Sequence, residues 1–307
     1  MGGGGGGGGY IRSEPEKLLR KIRQSDERTK DKEYEAEVEH HLNSLLKDYN
    51  DRNTEAIKRH LEEIRKALEK DLEGTLDLLY GGSVAKHTYV EGLSDVDSLA
   101  VLDSCELANG SPQAAKEYFA QRLRERFPKT EIDVGKLAVT VRFSDVEVQL
   151  LPAVSCKSNV QIPDASGKKW SEINPEGFRK ALTQTNQANG NKVVPVIKLA
   201  KAIINNLPEK QRISGYHAES LAVEAFKNYK GEQRLKPMLQ HYFRTAANLV
   251  RQPIRDRTGQ SVHVDDYLGA PNSLGRRIVS DAMGRISRRM SNADNAGSVD
   301  EWRKMSD

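Results

Sequence analysis

Asp95 and Asp97 stand one residue apart, about a dozen positions after a Gly81-Gly82-Ser83 turn. Carboxylates at i and i+2 of a strand share a face, so this pair can hold a divalent cation. Mg²⁺ suits carboxylates combined with phosphate oxygens. Two such ions hold the attacking and leaving oxygens of an in-line phosphoryl transfer. Glycine admits backbone conformations in which successive N–H groups converge on an anion, and Ser83 adds a hydroxyl donor. A helix beginning there would add the positive end of its dipole. The chemistry implied is transfer on a triphosphate. Each half alone is a common loop or strand-end pattern; the combination at this spacing is rare.

These residues need strands to carry them. Residues 76–80 form a short apolar run, and 95–102 a second one after the turn at Gly92 and Ser94. Leu137, Val139, Val141 and Phe143 alternate with polar or small residues, as do Val146, Val148 and Leu150, with Ser144-Asp145 as a tight turn between. Helices flank the strands. Tyr34, Val38, Leu42, Leu45 and Tyr49 recur at helical spacing, and so do Ile57, Leu61, Ile64, Leu68 and Leu72. The polar stretch 50–54 supplies stop and cap residues between them. Ser111-Pro112 reads as the N-cap and first residue of a helix reaching about Phe127. From Asn174 the pattern turns helical, over 175–183, 193–206, 217–230 and 237–251. Strands first and helices later predict an α+β fold. The expected organisation is a Gly-rich tail (1–12), a catalytic lobe with N-terminal helices (13–165) and a mostly helical second lobe (166–307).

Composition narrows the function classes. The 307 residues carry a formal net charge of +4, with 37% hydrophobic and 30% charged residues. That charge is too mild to mark a nucleic-acid binder. The Arg-rich end (Arg276, Arg277, Arg285, Arg288, Arg289) fits a solvated helix face as well as an RNA or phosphate groove. No apolar run is long enough to cross a bilayer and no signal peptide is visible, so a cytoplasmic protein is expected. Cys105 and Cys156 lack metal-ligand spacing and read as reduced thiols.

The joint pattern Gly82-Ser83, Lys86, Gly92 and Ser94-Asp95-Val96-Asp97 resembles the polymerase-β-like nucleotidyltransferase superfamily. Within it, the stretch from Asn189 to Lys201, together with Trp170 and Asn174-Pro175, resembles the cGAS/DncV-like bacterial nucleotidyltransferases (CD-NTases, the CBASS oligonucleotide cyclases) and the related oligoadenylate synthetases. Ser214-Gly215-Tyr216 with Glu219 resembles a helix start of the same families, with Gly215 where a phosphate-binding Ser is common. The segments 254–259 and 265–269 resemble the region where bacterial members read the nucleotide, and 298–303 their closing helix. The resemblance spans about residues 35–305 and implies a bilobal fold: a mixed sheet with helices, plus a helical second lobe. It implies that Asp95 and Asp97 are catalytic metal ligands. Nucleotide contacts are implied for Gly82, Ser83, Lys86, Ser94, Gln149, Lys198, Lys201, Ser214 and Tyr216, with Lys201 directed at the triphosphate and Lys198 as the second candidate.

The third carboxylate of this superfamily falls just before an apolar pair and Pro-Ala. Here Gln149 occupies that place, before Leu150-Leu151-Pro152-Ala153. An amide cannot act as a base. Glu147 lies on the same face of the expected strand and is one candidate for the catalytic and metal-binding role. Asp145, from the turn, is another. A defective site in a nucleotide binder is the third reading.

The implied activity joins NTPs, ATP among them, into a cyclic di- or oligonucleotide second messenger with release of pyrophosphate. The implied cofactor is Mg²⁺, with Mn²⁺ as a substitute. The setting implied is antiphage (CBASS) defence, with a separate cyclic-nucleotide-responsive effector, no membrane and no required nucleic acid. The alternatives are a nucleotidyltransferase acting on RNA or protein, and a catalytically impaired nucleotide-binding regulator.

Overall fold

A computed structural model of the chain describes residues 15–50, 54–70, 72, 75–80, 96–103, 106–156, 159–164, 166–254 and 265–306. Helices α1 (Pro15–Asn50) and α2 (Thr54–Glu69) precede strands β1 (Thr75–Tyr80) and β2 (Val96–Asp103). A short α3 (Glu106–Asn109) and α4 (Pro112–Arg126) follow, then β3 (Glu131–Val134), β4 (Val139–Arg142), β5 (Glu147–Cys156), β6 (Asn159–Pro163) and β7 (Trp170–Ile173). The remainder is helical: α5 (Pro175–Ala188), α6 (Val193–Asn205), α7 (Gly215–Phe226), α8 (Leu235–Leu249), α9 (Leu274–Ala296) and α10 (Val299–Ser306). The α+β expectation holds.

The strands form one mixed sheet in the order β1-β2-β5-β4-β3, with β6 added to β5 and β7 to β6. Only the β2–β5 pairing is parallel among the described ladders; the crossover between them contains α4. One face of the sheet is covered. Ala100, Leu102, Val139, Val141, Val148 and Leu150 pack there against Ile57, Ile64 and Leu68 of α2 and Phe119 and Leu123 of α4. The other face carries a small apolar cluster of Leu99, Val101 and Ala153 toward β6 and polar positions farther along. Ser111 caps α4 as its sequence implies, its hydroxyl accepting from the Ala114 N–H at 3.2 Å.

The helical core gathers α5 to α10, and α1 joins it: Val38, Leu42 and Leu46 pack with Val196, Leu239, Tyr242 and Trp302. Two carboxylates fix α1 there. Glu39 accepts from the Leu235 and Lys236 N–H groups at 3.0 and 3.2 Å, capping α8, which has no side-chain cap of its own. Asp294 accepts from the Tyr34 hydroxyl at 2.7 Å, and the Trp302 indole N–H donates to Tyr34 at 2.9 Å. The buried Lys236 lies between Glu35 and Asp294. Charged groups this deep are retained when paired and hydrogen-bonded.

Candidate nucleotide site

The register of the sheet brings the candidate residues into rows. Asp97 pairs with Gln149 across the parallel ladder, Gln149 with Thr140, and Thr140 with Asp133. One step along, Glu147 pairs with Arg142 and Arg142 with Glu131. The intervening positions, Val148, Val141 and Ile132, are buried on the helix-covered side. Alternation therefore assigns the described side chains of both rows to the opposite face, the one the α2 and α4 layer leaves uncovered. Gln149 thus stands directly beside position 97, where the resemblance expects an acid. Segment 81–95, with Gly82, Ser83, Lys86, Ser94 and Asp95, lies outside the described residues, as does the Asp97 side chain.

Glu147 shares this face, but its carboxylate accepts from the Arg142 Nε at 2.9 Å. Arg142 also meets Glu131 at 2.9 Å and Asp133. Asp145 is engaged elsewhere: its carboxylate lies 2.8 Å from His60 of α2, whose ring stacks on Phe143 at 3.9 Å. That contact turns Asp145 toward the helix layer, away from the rows. Among the described residues no three His, Cys, Asp or Glu side chains gather as a metal centre. The donors that the described side chains beside position 97 offer are hard oxygens, the Gln149 amide and the Glu147 carboxylate. That set fits Mg²⁺ or Mn²⁺ and not a soft cation.

In the second lobe, α6 carries both predicted lysines, each largely buried. Lys198 donates to Asn50 at the end of α1. Lys201 donates to Glu219 of α7 at 2.8 Å, in a pair 8% and 1% exposed. A Cβ at Gly215 would come within 3.3 Å of the Lys201 ammonium, so the glycine leaves that end of the lysine its room. Ser214 caps α7, its hydroxyl accepting from the His217 N–H at 3.2 Å. Tyr216 packs on Phe178, ring centroids 4.8 Å apart. Ser214, Tyr216 and Lys201 are therefore brought together at the start of α7. A groove of about 630 Å³ between α5 and α6, lined by Arg179, Lys180, Asn186 and Val194, contains none of the predicted site residues.

A network that runs inward from this helix start to the buried Asp265 and Arg276 was not foreseen from the sequence. The Ser214 N–H donates to the Tyr267 hydroxyl at 3.1 Å, and that hydroxyl lies 2.8 Å from His217 Nδ1. His217 Nε2 is 3.9 Å from Asp265, which accepts from Arg276 at 2.6 Å. Arg276 further donates to the carbonyls of Gly269, Val250 and Gln252. Arg276 belongs to the Arg-rich end that the sequence fits equally to a solvated helix face or to an RNA or phosphate groove; it is fully buried. The signal was available, because position 276 falls on the stripe Val279, Met283, Ile286, Met290 at helical spacing.

Burial lowers the His217 pKa from 6.5 to about 4, Asp265 opposing and Arg276 reinforcing the shift. Below pH 6.5 the unfolded chain takes up a proton that the folded chain refuses until about pH 4. Stability is therefore complete above that window and falls as pH drops through it, by on the order of 3 kcal/mol. Carboxylates contribute to acid loss in the same range, so the His217 share is read from a variant. His217→Gln should lose less melting temperature than wild type between pH 7 and pH 4.5. An equal loss contradicts the assignment.

The mixed sheet with its helix layer, followed by a helical core, is the arrangement of the CD-NTase fold. Residues 37–186 match the family model of the Second Messenger Oligonucleotide or Dinucleotide Synthetase domain, SMODS. CdnC of E. coli MS115-1, solved in complex with HORMA-deltaN, superposes with a TM-score of 0.65 at 16% identity, covering 84% of this chain and 92% of that one. CdnG of Bradyrhizobium diazoefficiens, solved with GTP, gives 0.61 at 15% identity, covering 82% and 89%. The Vibrio cholerae cyclic AMP-GMP synthase DncV, solved with the linear intermediate 5′ pppA(3′,5′)pG, gives 0.59 at 11% identity, covering 96% and 89%. No curated protein matches the sequence. The chain has the CD-NTase fold, and residues 37–186 are similar to the SMODS domain. No described helix is long and apolar enough to cross a membrane.

Proposed function

We propose that this chain joins nucleoside triphosphates, ATP among them, into a cyclic di- or oligonucleotide with release of pyrophosphate. The observation that supports it most is the pairing of Asp97 with Gln149 on the uncovered sheet face, inside the part of the chain that matches the SMODS domain. Asp95 and Asp97 would hold Mg²⁺ or Mn²⁺, which when bound neutralises the triphosphate and activates the attacking ribose hydroxyl. Gly82, Ser83 and Lys86 would bind the β- and γ-phosphates through N–H, hydroxyl and ammonium donors, with Ser94 beside them. Lys201 and Lys198 would offset the charge of the leaving pyrophosphate, while Ser214 and Tyr216 border the same nucleotide. Gln149 is suited to donate or accept a hydrogen bond next to Asp97, and Glu147 supplies the remaining carboxylate. In this reading a ribose hydroxyl of one nucleotide attacks the α-phosphate of another. A second such step, on a nucleotide of the linear product, closes the ring. We extend the proposal to an antiphage setting with a separate effector, as the sequence resemblance implies.

The neutral Gln149, with Glu147 bound to Arg142, favours a second reading: a regulator that binds nucleotide without turnover. Incubation of the purified protein with the four NTPs and Mg²⁺ or Mn²⁺, without acceptor, separates the two. The synthase reading expects a phosphatase-resistant product on the chromatogram. Unchanged NTPs at every metal concentration overturn it.

A further inference from the structure

Arg142 is the cation of the rows on the uncovered sheet face. Its Nε holds Glu147 at 2.9 Å, while its NH1 serves Glu131, at 2.9 Å, and Asp133. The division of donors has a consequence. Breaking the contact to Glu147 leaves the guanidinium anchored by the other two carboxylates, so release does not strand the arginine. The contact to Glu147 is also weak. Both side chains are about one-third exposed, at 38% and 32%, and an ion pair in that setting is worth about 0–1 kcal/mol. A divalent cation on the neighbouring row competes easily with it. Gln149, neutral and directly beside Asp97, leaves that row one negative charge short of three carboxylates. The missing charge sits two residues earlier on the same strand face, held by Arg142.

We propose that Arg142 is a positioning residue that stores Glu147 at the edge of the site and yields it to the incoming metal–nucleotide complex. Arg142 touches no reacting atom in this scheme; it sets how strongly the site holds its cation. The inference rests on the metal-dependent reading above and adds to it a residue that lowers, not raises, metal affinity. Without Arg142, Glu147 is available from the start. Without Glu147, Arg142 has nothing to withhold.

The test is Mn²⁺ binding with a non-hydrolysable ATP analogue present, read from the free-ion signal in electron paramagnetic resonance. Arg142→Met should bind Mn²⁺ about two- to fivefold more tightly than wild type, the factor a weak competing pair sets. Glu147→Gln should bind it less tightly. The double variant should match Glu147→Gln, because the gain acts only through that carboxylate. Unchanged or weaker binding in Arg142→Met overturns the proposal. So does a double variant that keeps the gain, which would transfer the effect to Glu131 and Asp133. Should Arg142→Met lose the native circular dichroism, Arg142→Lys replaces it. A single ammonium lacks the fork that serves three acids, so its affinity should lie above that of wild type, and equality with wild type overturns the proposal. A protein that shows this binding pattern but makes no product would retain the Arg142 role and lose only the synthase reading.

Discussion

Asp97→Asn should cut product formation by at least about a thousandfold, the loss of several kcal/mol expected when a metal ligand becomes neutral. Asp95→Ala should do the same. Neither should disturb folding. Position 97 lies at the N-terminal end of β2, its row facing away from the core that α2 and α4 build on the sheet. An amide at 97 would sit beside the amide of Gln149, so that end of the row would carry no charge. Product chromatography paired with a thermal melt checks both halves. Substantial activity in either variant would remove the two aspartates from the mechanism.

Arg276→Met should destabilise the protein by about 3–5 kcal/mol, because it leaves Asp265 charged, buried and without its partner. Asp265 is fully buried, and one of its oxygens has no partner among the described residues. The Ile254 N–H at 3.1 Å would remain as a donor, too little for a full charge. Asp265→Asn combined with Arg276→Met should recover part of the loss, since two neutral groups replace an orphaned ion. Urea midpoints of the three variants read this directly. A loss under about 1 kcal/mol in Arg276→Met would show that the network is ornamental to stability. The effect reaches the candidate site through Tyr267, which receives the Ser214 N–H at the α7 start.

The sheet strands over 75–103 and 139–156 were legible because their apolar residues alternate and short turns separate them. The Ser111 cap was legible too: its hydroxyl accepts from the Ala114 N–H. Strands β6 and β7 were not read. Each is short: β6 alternates only over Val160 and Ile162 before ending in a proline, and β7 does not alternate. Helix α9 was legible only as one of two readings of the Arg-rich end. Arginines interrupt its apolar stripe, and one of them, Arg276, belongs to the buried face. The first half of α1 has no apolar period at all. It continues on strong helix formers, Glu, Lys, Arg and Leu.

At the candidate site, the sequence pointed to carboxylates, lysines and the anomaly at Gln149. It could not supply their partners. That Glu147 is held by Arg142, Asp145 by His60 and Lys201 by Glu219 depends on which strands and helices become neighbours. Ladder register decides the first, and the packing of α2 and α7 the others. No spacing along the chain encodes such a contact.

Anomalous scattering from Mn²⁺ in crystals grown with a non-hydrolysable ATP analogue tests the central assignment most directly. The account predicts a peak within coordination distance of the Asp95 and Asp97 carboxylates on the uncovered face of the sheet, with the triphosphate beside Ser83. A nucleotide bound elsewhere, or a metal peak remote from both aspartates, would contradict it.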